Sequence, residues 1–193
     1  PYQWQAEWKW DGIRGQVINR KGELFVWSRG EELVTDKFPE FAELADILPE
    51  GTVLDGEIIC FTEGKPLPFN VLQTRIGRKN LTPKILNEAP VSFIVYDMME
   101  YRGEDIRALS LTERRKMLDK LLIKAADSKI LVPSPVIEYK SWESLKKIRE
   151  GSRENVSEGI MLKRKDSPYG VGRKKGDWWK WKIDPFTVDA VMI

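Results

Sequence analysis

The sequence predicts an α+β fold. Strand-like segments come in clusters with helices between them and no regular strand–helix–strand repeat. The first of these segments alternates apolar and polar residues with period 2, as a half-buried strand does. One later segment carries a complete helix start signal. The 193 residues, 41% apolar and 32% charged, suffice for one good core, and no internal repeat or low-complexity tract interrupts them.

From Trp4 to Asp11, Trp4, Ala6, Trp8 and Trp10 share one strand face, and Gln5, Glu7, Lys9 and Asp11 share the other. The stretch Ile18 to Ser28 reads as a hairpin turning at Lys21-Gly22. A helix is expected from Pro39, with Phe41, Leu44, Ala45 and Leu48 on one stripe and a stop at Pro49 to Gly51. TVLDGEIICF returns to a strand, a short helix follows Pro68, and VSFIVYDMM is an apolar strand. In SLTERRKMLDKLLIKA, Ser110 and Glu113 form a capping box, and Leu111, Arg115, Leu118, Leu121 and Leu122 trace the inward stripe. A strand near KILVPSPVI, a helix near SWESLKKIRE, a strand GIMLKR, a basic loop and a strand DWWKWKID complete the order. The end, DPFTVDAVMI, reads as a short linker at Asp184 to Phe186 followed by an apolar strand cut off at Ile193, so the chain is expected to be an excised domain.

Composition narrows the chemistry. The absence of histidine removes Ser-His triads, imidazole acid–base catalysis and most zinc sites, leaving lysine, carboxylates, tyrosine, Cys60 or a bound metal. The single Cys60 suits a reducing compartment and packs as a small apolar residue. No apolar run approaches the roughly 20 residues that span a bilayer, and no leader is recognisable, so an intracellular monomer is expected. A net charge of +2 is too small to argue for nucleic acid, so local clusters must decide.

Four clusters place charge where a strand is expected to be apolar. Lys9 sits between Trp8 and Trp10 and is followed by Asp11-Gly12 and Arg14. Asp55 and Glu57 share a face. Met161 and Lys163 share a face, with Glu158 at the strand's mouth. Lys180 and Lys182 share a face with Trp178, while Trp179, Trp181 and Ile183 are expected to face the core. Each alone also reads as a strand with one dry and one wet face. Converging cations and carboxylates suit a nucleoside triphosphate and a divalent ion, with the cations meeting phosphate oxygens and the carboxylates holding metal or ribose.

These clusters fall in a known order. KWDGIR (Lys9 to Arg14) matches a KxDGxR motif, and SRG (Ser28 to Gly30), LDGEI (Leu54 to Ile58), FIVYD (Phe93 to Asp97), EGIMLK (Glu158 to Lys163) and WWKWK (Trp178 to Lys182) follow it. With these motifs the sequence resembles the adenylation domain of ATP-dependent DNA ligases, within the covalent nucleotidyltransferase superfamily. The resemblance implies a nucleotidyltransferase fold, ATP-grasp-like, in which antiparallel sheets flanked by helices hold a nucleotide pocket between them. It implies that Lys9 attacks the α-phosphate of ATP, expels pyrophosphate and carries AMP as a phosphoramidate. Around it, Glu7 would contact adenine beside Trp8, and Tyr96 and Met161 would cover the two faces of the base. Arg14 and Arg29 would lie near ribose and phosphates, and Lys163, Lys180 and Lys182 would neutralise phosphate charge. Glu57 and Glu158 would serve Mg²⁺ or Mn²⁺, with Glu57 also able to hold ribose. Physics asks for such a setting, because an ordinary lysine is about a thousandth deprotonated near neutral pH, a cost of about 4 kcal/mol against attack. Burial and neighbouring cations favour losing that proton, while Asp97 and Glu57 oppose it, and a net depression is expected.

Basic residues outside the motifs are Arg75, Arg78 and Lys79, and Arg164, Lys165, Arg173, Lys174 and Lys175. A solvated charge run and a nucleic-acid contact both fit them. The resemblance favours nicked duplex DNA, with residues 1–186 as the adenylation domain, 187–193 as the first strand of an OB-fold domain, and the 193 residues alone competent at most for self-adenylation. It leaves RNA ligases and mRNA capping guanylyltransferases as rivals inside the superfamily, and a non-catalytic binding module outside it.

Overall fold

Residues 1–172 and 175–184 are described by a computed structural model of the chain. Arg173, Lys174 and the expected OB-fold strand at 187–193 lie outside the described residues. The strands are β1 (Trp4–Trp10), β2 (Ile13–Arg20), β3 (Glu23–Ser28), β4 (Thr52–Thr62), β5 (Lys65–Pro66), β6 (Val91–Tyr101), β7 (Glu104–Asp105), β8 (Leu131–Pro133), β9 (Val136–Ile137), β10 (Ser157–Arg164) and β11 (Trp178–Lys182). The helices are α1 (Leu44–Ile47), α2 (Phe69–Ile76), α3 (Pro83–Glu88), α4 (Leu111–Lys124) and α5 (Trp142–Glu150).

The strands form two sheets, which makes the fold α+β as the sequence predicts. A seven-stranded sheet runs β3-β2-β4-β6-β7, with β5 added to β4 and β8 parallel to β6. A four-stranded antiparallel sheet runs β11-β10-β1-β9. The KILVPSPVI segment is not one strand. It changes sheets at Ser134, because β8 pairs with β6 whereas β9 pairs with β1.

The main core lies on the seven-stranded sheet, where Val17, Leu54, Phe93 and Met98 meet Phe38, Phe41, Leu72 and Leu118. A smaller cluster of Ala6, Ile137, Leu145 and Ile160 holds α5 against the four-stranded sheet. The helix expected from Pro39 is shorter and tighter. A 3₁₀ turn spans Pro39–Glu43 before the single turn α1, and Phe38 stacks on Phe41 at 5.5 Å, since residues three apart eclipse in that geometry. Helix α4 has its capping box, but its inward charged residue is Arg114, fully buried, rather than Arg115. Asp97 on β6 decides this, accepting two bonds from Arg114 at 2.8 and 2.9 Å. Trp179, expected to face the core, is 52% exposed, because β11 is the edge strand of its sheet among the described residues. Trp181 on the same face does pack against the small cluster.

Candidate active site

Strand register builds the site. In the four-stranded sheet Gln5, Lys163 and Trp178 stand opposite one another, as do Glu7, Met161 and Lys180. These side chains therefore share one face, and it is not a wet one: Gln5 is 7%, Glu7 1% and Lys163 2% exposed. The charges satisfy each other. Lys163 Nζ donates to Glu7 Oε2 at 2.8 Å, and Gln5 Nε2 donates to Glu7 Oε1 at 2.6 Å. The Lys163 ammonium also lies 4.3 Å from the centre of the Tyr96 ring and 4.5 Å from that of Trp178, a cation sandwiched by two aromatic faces.

Lys9 sits opposite a bulge. Trp8 pairs with Ile160 and Trp10 with Ser157, so three steps on β10 oppose two on β1, and the extra residue falls at Glu158–Gly159. Gly159 allows this with φ +138°, and a Cβ there would lie 2.3 Å from the Trp181 carbonyl. The result turns Glu158 onto Lys9, whose Nζ donates to Glu158 Oε2, and Lys182 Nζ approaches the same oxygen at 3.2 Å. Burial raises Glu158, but the two lysines overcome it and hold the carboxyl below the usual range. Asp11 is raised, by burial and by Glu158. The turn after β1 packs closely on β4, where a Cβ on Gly12 would sit 2.4 Å from the Ile58 carbonyl. That approach sets Glu57 of β4 within electrostatic reach of Lys9. Burial pushes Glu57 up to about 8, against the pull of Lys9.

Arg14 stands on β2 opposite Glu57. Its Nε and Nη2 donate to the two Asp55 oxygens at 3.1 and 2.8 Å, and Nη2 also donates to the Tyr169 hydroxyl at 2.9 Å. Lys180 is lowered, by burial and then by Lys9, Arg29, Lys182 and Arg14, the signature of several cations around one hollow. Such a cluster suits an anion.

The hollow is a cavity of about 200 Å³ between the two sheets. Glu7, Trp8, Lys9, Arg14, Arg29, Glu57, Tyr96, Met161, Lys163 and Lys180 line it, together with Trp10 and Trp178. Glu158, Lys182 and Asp11 line an adjoining open groove on the far side of Lys9. A larger neighbouring hollow of about 470 Å³ shares Arg14 and Arg29 but contains neither Lys9 nor Glu158. Asp97, expected beside Lys9, is instead fully buried against Arg114. Sequence patterns placed Gln5, Trp10, Asp11 and Trp178 on the strands and motifs of the charged clusters but gave them no role in the site, and passed over Tyr169. For Tyr169 the only signal was a lone aromatic in a glycine-bearing basic loop.

The basic residues divide. Arg75 is not a surface contact: it is fully buried, its guanidinium bonded to both Glu40 oxygens and to the Lys37 and Ala89 carbonyls and lying over Phe38. Its place on the inner face of α2 beside Leu72 puts it under the main core rather than at solvent. Arg78 and Lys79 after α2 are exposed, as are Arg164, Lys165 and Lys175, with Arg164 tied to Asp166 at 2.7 Å.

Among the described residues no group of three metal-binding side chains forms a closed cage. Glu57 and Glu158 on either side of Lys9 still fit a hard divalent cation, because Mg²⁺ takes one or two carboxylates and completes its shell with phosphate oxygens and water.

The profile of the ATP-dependent DNA ligase domain matches residues 1–182. The chain belongs to the ATP-dependent DNA ligase domain family. It is 33% identical to a DNA ligase of Archaeoglobus fulgidus over 97% of the chain and 33% of that protein. With a DNA ligase of Haloferax volcanii it shares 34% identity over 97% of the chain and 32% of the relative. It therefore spans about a third of the length of these curated relatives. A structure of mycobacterial DNA ligase D complexed with ATP and MES superposes with a TM-score of 0.73 at 30% identity, over 94% of this chain and 55% of the other. Chlorella virus DNA ligase-adenylate, at 20% identity and a TM-score of 0.66 over 93% of this chain and 62% of the other, shares the fold. This ATP-dependent DNA ligase domain thus carries its cations and carboxylates in a fold common to ligase nucleotidyltransferase domains, whose relatives use ATP. Among its described residues no helix is long and apolar enough to cross a membrane.

Proposed function

We propose that residues 1–186 form the adenylation domain of a DNA ligase and that Lys9 is its nucleophile. The observation that carries this is the Lys9 ammonium, at the cavity wall and hydrogen-bonded to Glu158 in the adjoining groove. Glu158 orients Lys9 at the cavity wall, and because its carboxylate favours the ammonium, the proton must pass to solvent before attack. The deprotonated amine attacks the α-phosphorus of ATP, the bond to the bridging oxygen breaks, and pyrophosphate leaves with the electron pair. Lys9 then holds AMP through a P–N bond. Tyr96 and Met161 would flank the adenine, with Glu7 held by Gln5 and Lys163 at its edge. Lys163 would act there through Glu7, because its charge is already met, while Arg14, Arg29, Lys180 and Lys182 serve ribose and phosphates. Glu57 and Glu158 would hold Mg²⁺, whose charge would help neutralise the phosphates.

The AMP then passes to the 5′-phosphate of nicked duplex DNA, where attack by the 3′-hydroxyl joins the strands and releases AMP. Arg78, Lys79, Arg164, Lys165 and Lys175, with Arg173 and Lys174, would supply salt-dependent backbone contacts. Residues 187–193 would begin an OB-fold domain.

Incubation with α-labelled ATP and Mg²⁺, followed by peptide mass mapping, should place one AMP on Lys9. Lys9→Ala should lose it completely while melting within a few degrees of the parent, since a partly exposed ion pair contributes at most about 1 kcal/mol. Label retained by Lys9→Ala would refute the assignment, and transfer from GTP in preference to ATP would point to a capping enzyme.

A further inference from the structure

The chain between β10 and β11 begins and ends in the four-stranded sheet, yet it is fastened to the other side of the molecule. Leu111 N donates to the Ser167 carbonyl at 2.8 Å, Thr112 N to the Lys165 carbonyl at 3.0 Å, and Tyr169 N to the Arg107 carbonyl at 2.8 Å. The first two use amides of the opening turn of α4, which have no partner within the helix. Arg114 Nη1 adds a bond to the Ser167 carbonyl at 3.2 Å while its other nitrogens hold Asp97 of β6. Residues 165–169 are thus a strap pinned to α4.

The strap delivers Tyr169 to the cavity wall. Its hydroxyl donates to Asp55 Oδ2 at 2.7 Å and accepts from Arg14 Nη2 at 2.9 Å, closing a triangle with the Arg14–Asp55 pair. Its ring meets Trp178 edge-on, with centroids 5.8 Å apart. Asp55 is buried, so the triangle has a fixed corner. Arg14 is a wall of three adjoining hollows: the nucleotide cavity, the larger one beside it, and a smaller one of about 100 Å³ under the strap. With Nε and Nη2 committed to Asp55 and Tyr169, the donors on Nη1 are left for whatever fills the cavity.

On the reading that this cavity takes ATP, we propose that Tyr169 is a positioning residue for the nucleotide, its hydroxyl fixing Arg14 and its ring fixing Trp178. One side chain would then set both walls, each from a different sheet. A guanidinium held only by the carboxylate keeps a soft rotation about its long side chain; the third partner removes that freedom before the ligand arrives. Burial raises the phenol, so it stays a donor at neutral pH.

Tyr169→Phe keeps the ring and deletes one oxygen, which avoids the folding failure that Tyr169→Ala invites. In the full chain, formation of the covalent adenylate, read by intact mass against ATP concentration, should show an apparent KM for ATP raised about fivefold, the scale of one hydrogen bond. The maximal rate should change less than twofold. In an Arg14→Ala background the same substitution should change nothing further, because its effect passes through Arg14. Additive losses in the double variant would overturn the proposal. So would a Tyr169→Phe chain that melts earlier but keeps the parental KM, which would make Tyr169 part of the fold alone. A parental chain that takes up no AMP would instead overturn the nucleotide reading itself and this proposal with it, so the behaviour of the parent tells the two failures apart.

Discussion

The two sheets solve the same problem with different means. Among the described residues, twenty-one buried apolar side chains form the core on the seven-stranded sheet, whereas four form the cluster under the four-stranded one. The thinner sheet nevertheless carries Glu7, Lys9, Glu158, Lys163, Lys180 and Lys182. A sheet with so little apolar support keeps charges in place by pairing them with each other, as Lys163–Glu7 and Lys9–Glu158 do. The thick sheet contributes a rigid opposing wall, with Arg14, Glu57 and Tyr96 on strands whose other face is dry. The larger apolar core therefore lies on one sheet, while both sheets line the cavity.

The strongest test of that division is Lys163→Met. It leaves Glu7 buried with only Gln5 as partner and should cost about 3–5 kcal/mol, the scale for breaking a buried pair from one side. Hydrogen exchange should quicken at the amides of β1 and β10 and stay unchanged in β4 and β6. If β4 and β6 quicken equally, the sheets unfold as one unit and the comparison fails.

Glu57 probes the interface between them. Its folded value of about 8 lies above the ordinary 4.5, so the folded chain binds a proton more tightly than the unfolded one between those values. Stability must then fall as pH rises through that window, by up to about one proton's worth of slope. Glu57→Gln should lack this component and gain on the parent from pH 5 to pH 8 in parallel thermal melts. Equal slopes would mean that Glu57 is better solvated than its place on β4 suggests.

Val156 gives the smallest effect. It leads into β10 with φ +49°, a left-handed conformation that a β-branched residue resists by about 1–2 kcal/mol. Glycine removes that strain and loses part of the gain to its freer unfolded chain. Val156→Gly should raise the urea midpoint by the equivalent of about 0.5–1 kcal/mol. A loss would show that the side chain's packing outweighs its backbone strain.

Much of the site was legible. Period-2 alternation gives the face shared by Glu7 and Lys9, and the same parity joins Met161 to Lys163 and Lys180 to Lys182. The signals that failed share a cause. The stripe of α4 passes between positions 114 and 115, and helical period cannot separate two neighbouring arginines; Asp97, seventeen residues earlier on another element, does. Arg75 looked like a surface base because charge in a sequence carries no burial, and its partners Glu40, Lys37 and Ala89 come from two other segments. Tyr169 lies in a loop, where no periodicity exists to mark an inward residue.

By itself the sequence determined the α+β class, the strand on which Lys9 sits, the capped helix α4 and the order of the charged motifs, because each depends on side-chain period or on residues within a few positions of one another. Tertiary structure decided which charges are buried and paired. It set Lys163 on Glu7 between two rings, turned Glu158 onto Lys9 through a bulge, hid Arg75, and brought Tyr169 across to Arg14. The reason is that the energy of a charge depends on what surrounds it in space, at distances of a few ångströms, and those surroundings come from residues between 14 and 156 positions away along the chain.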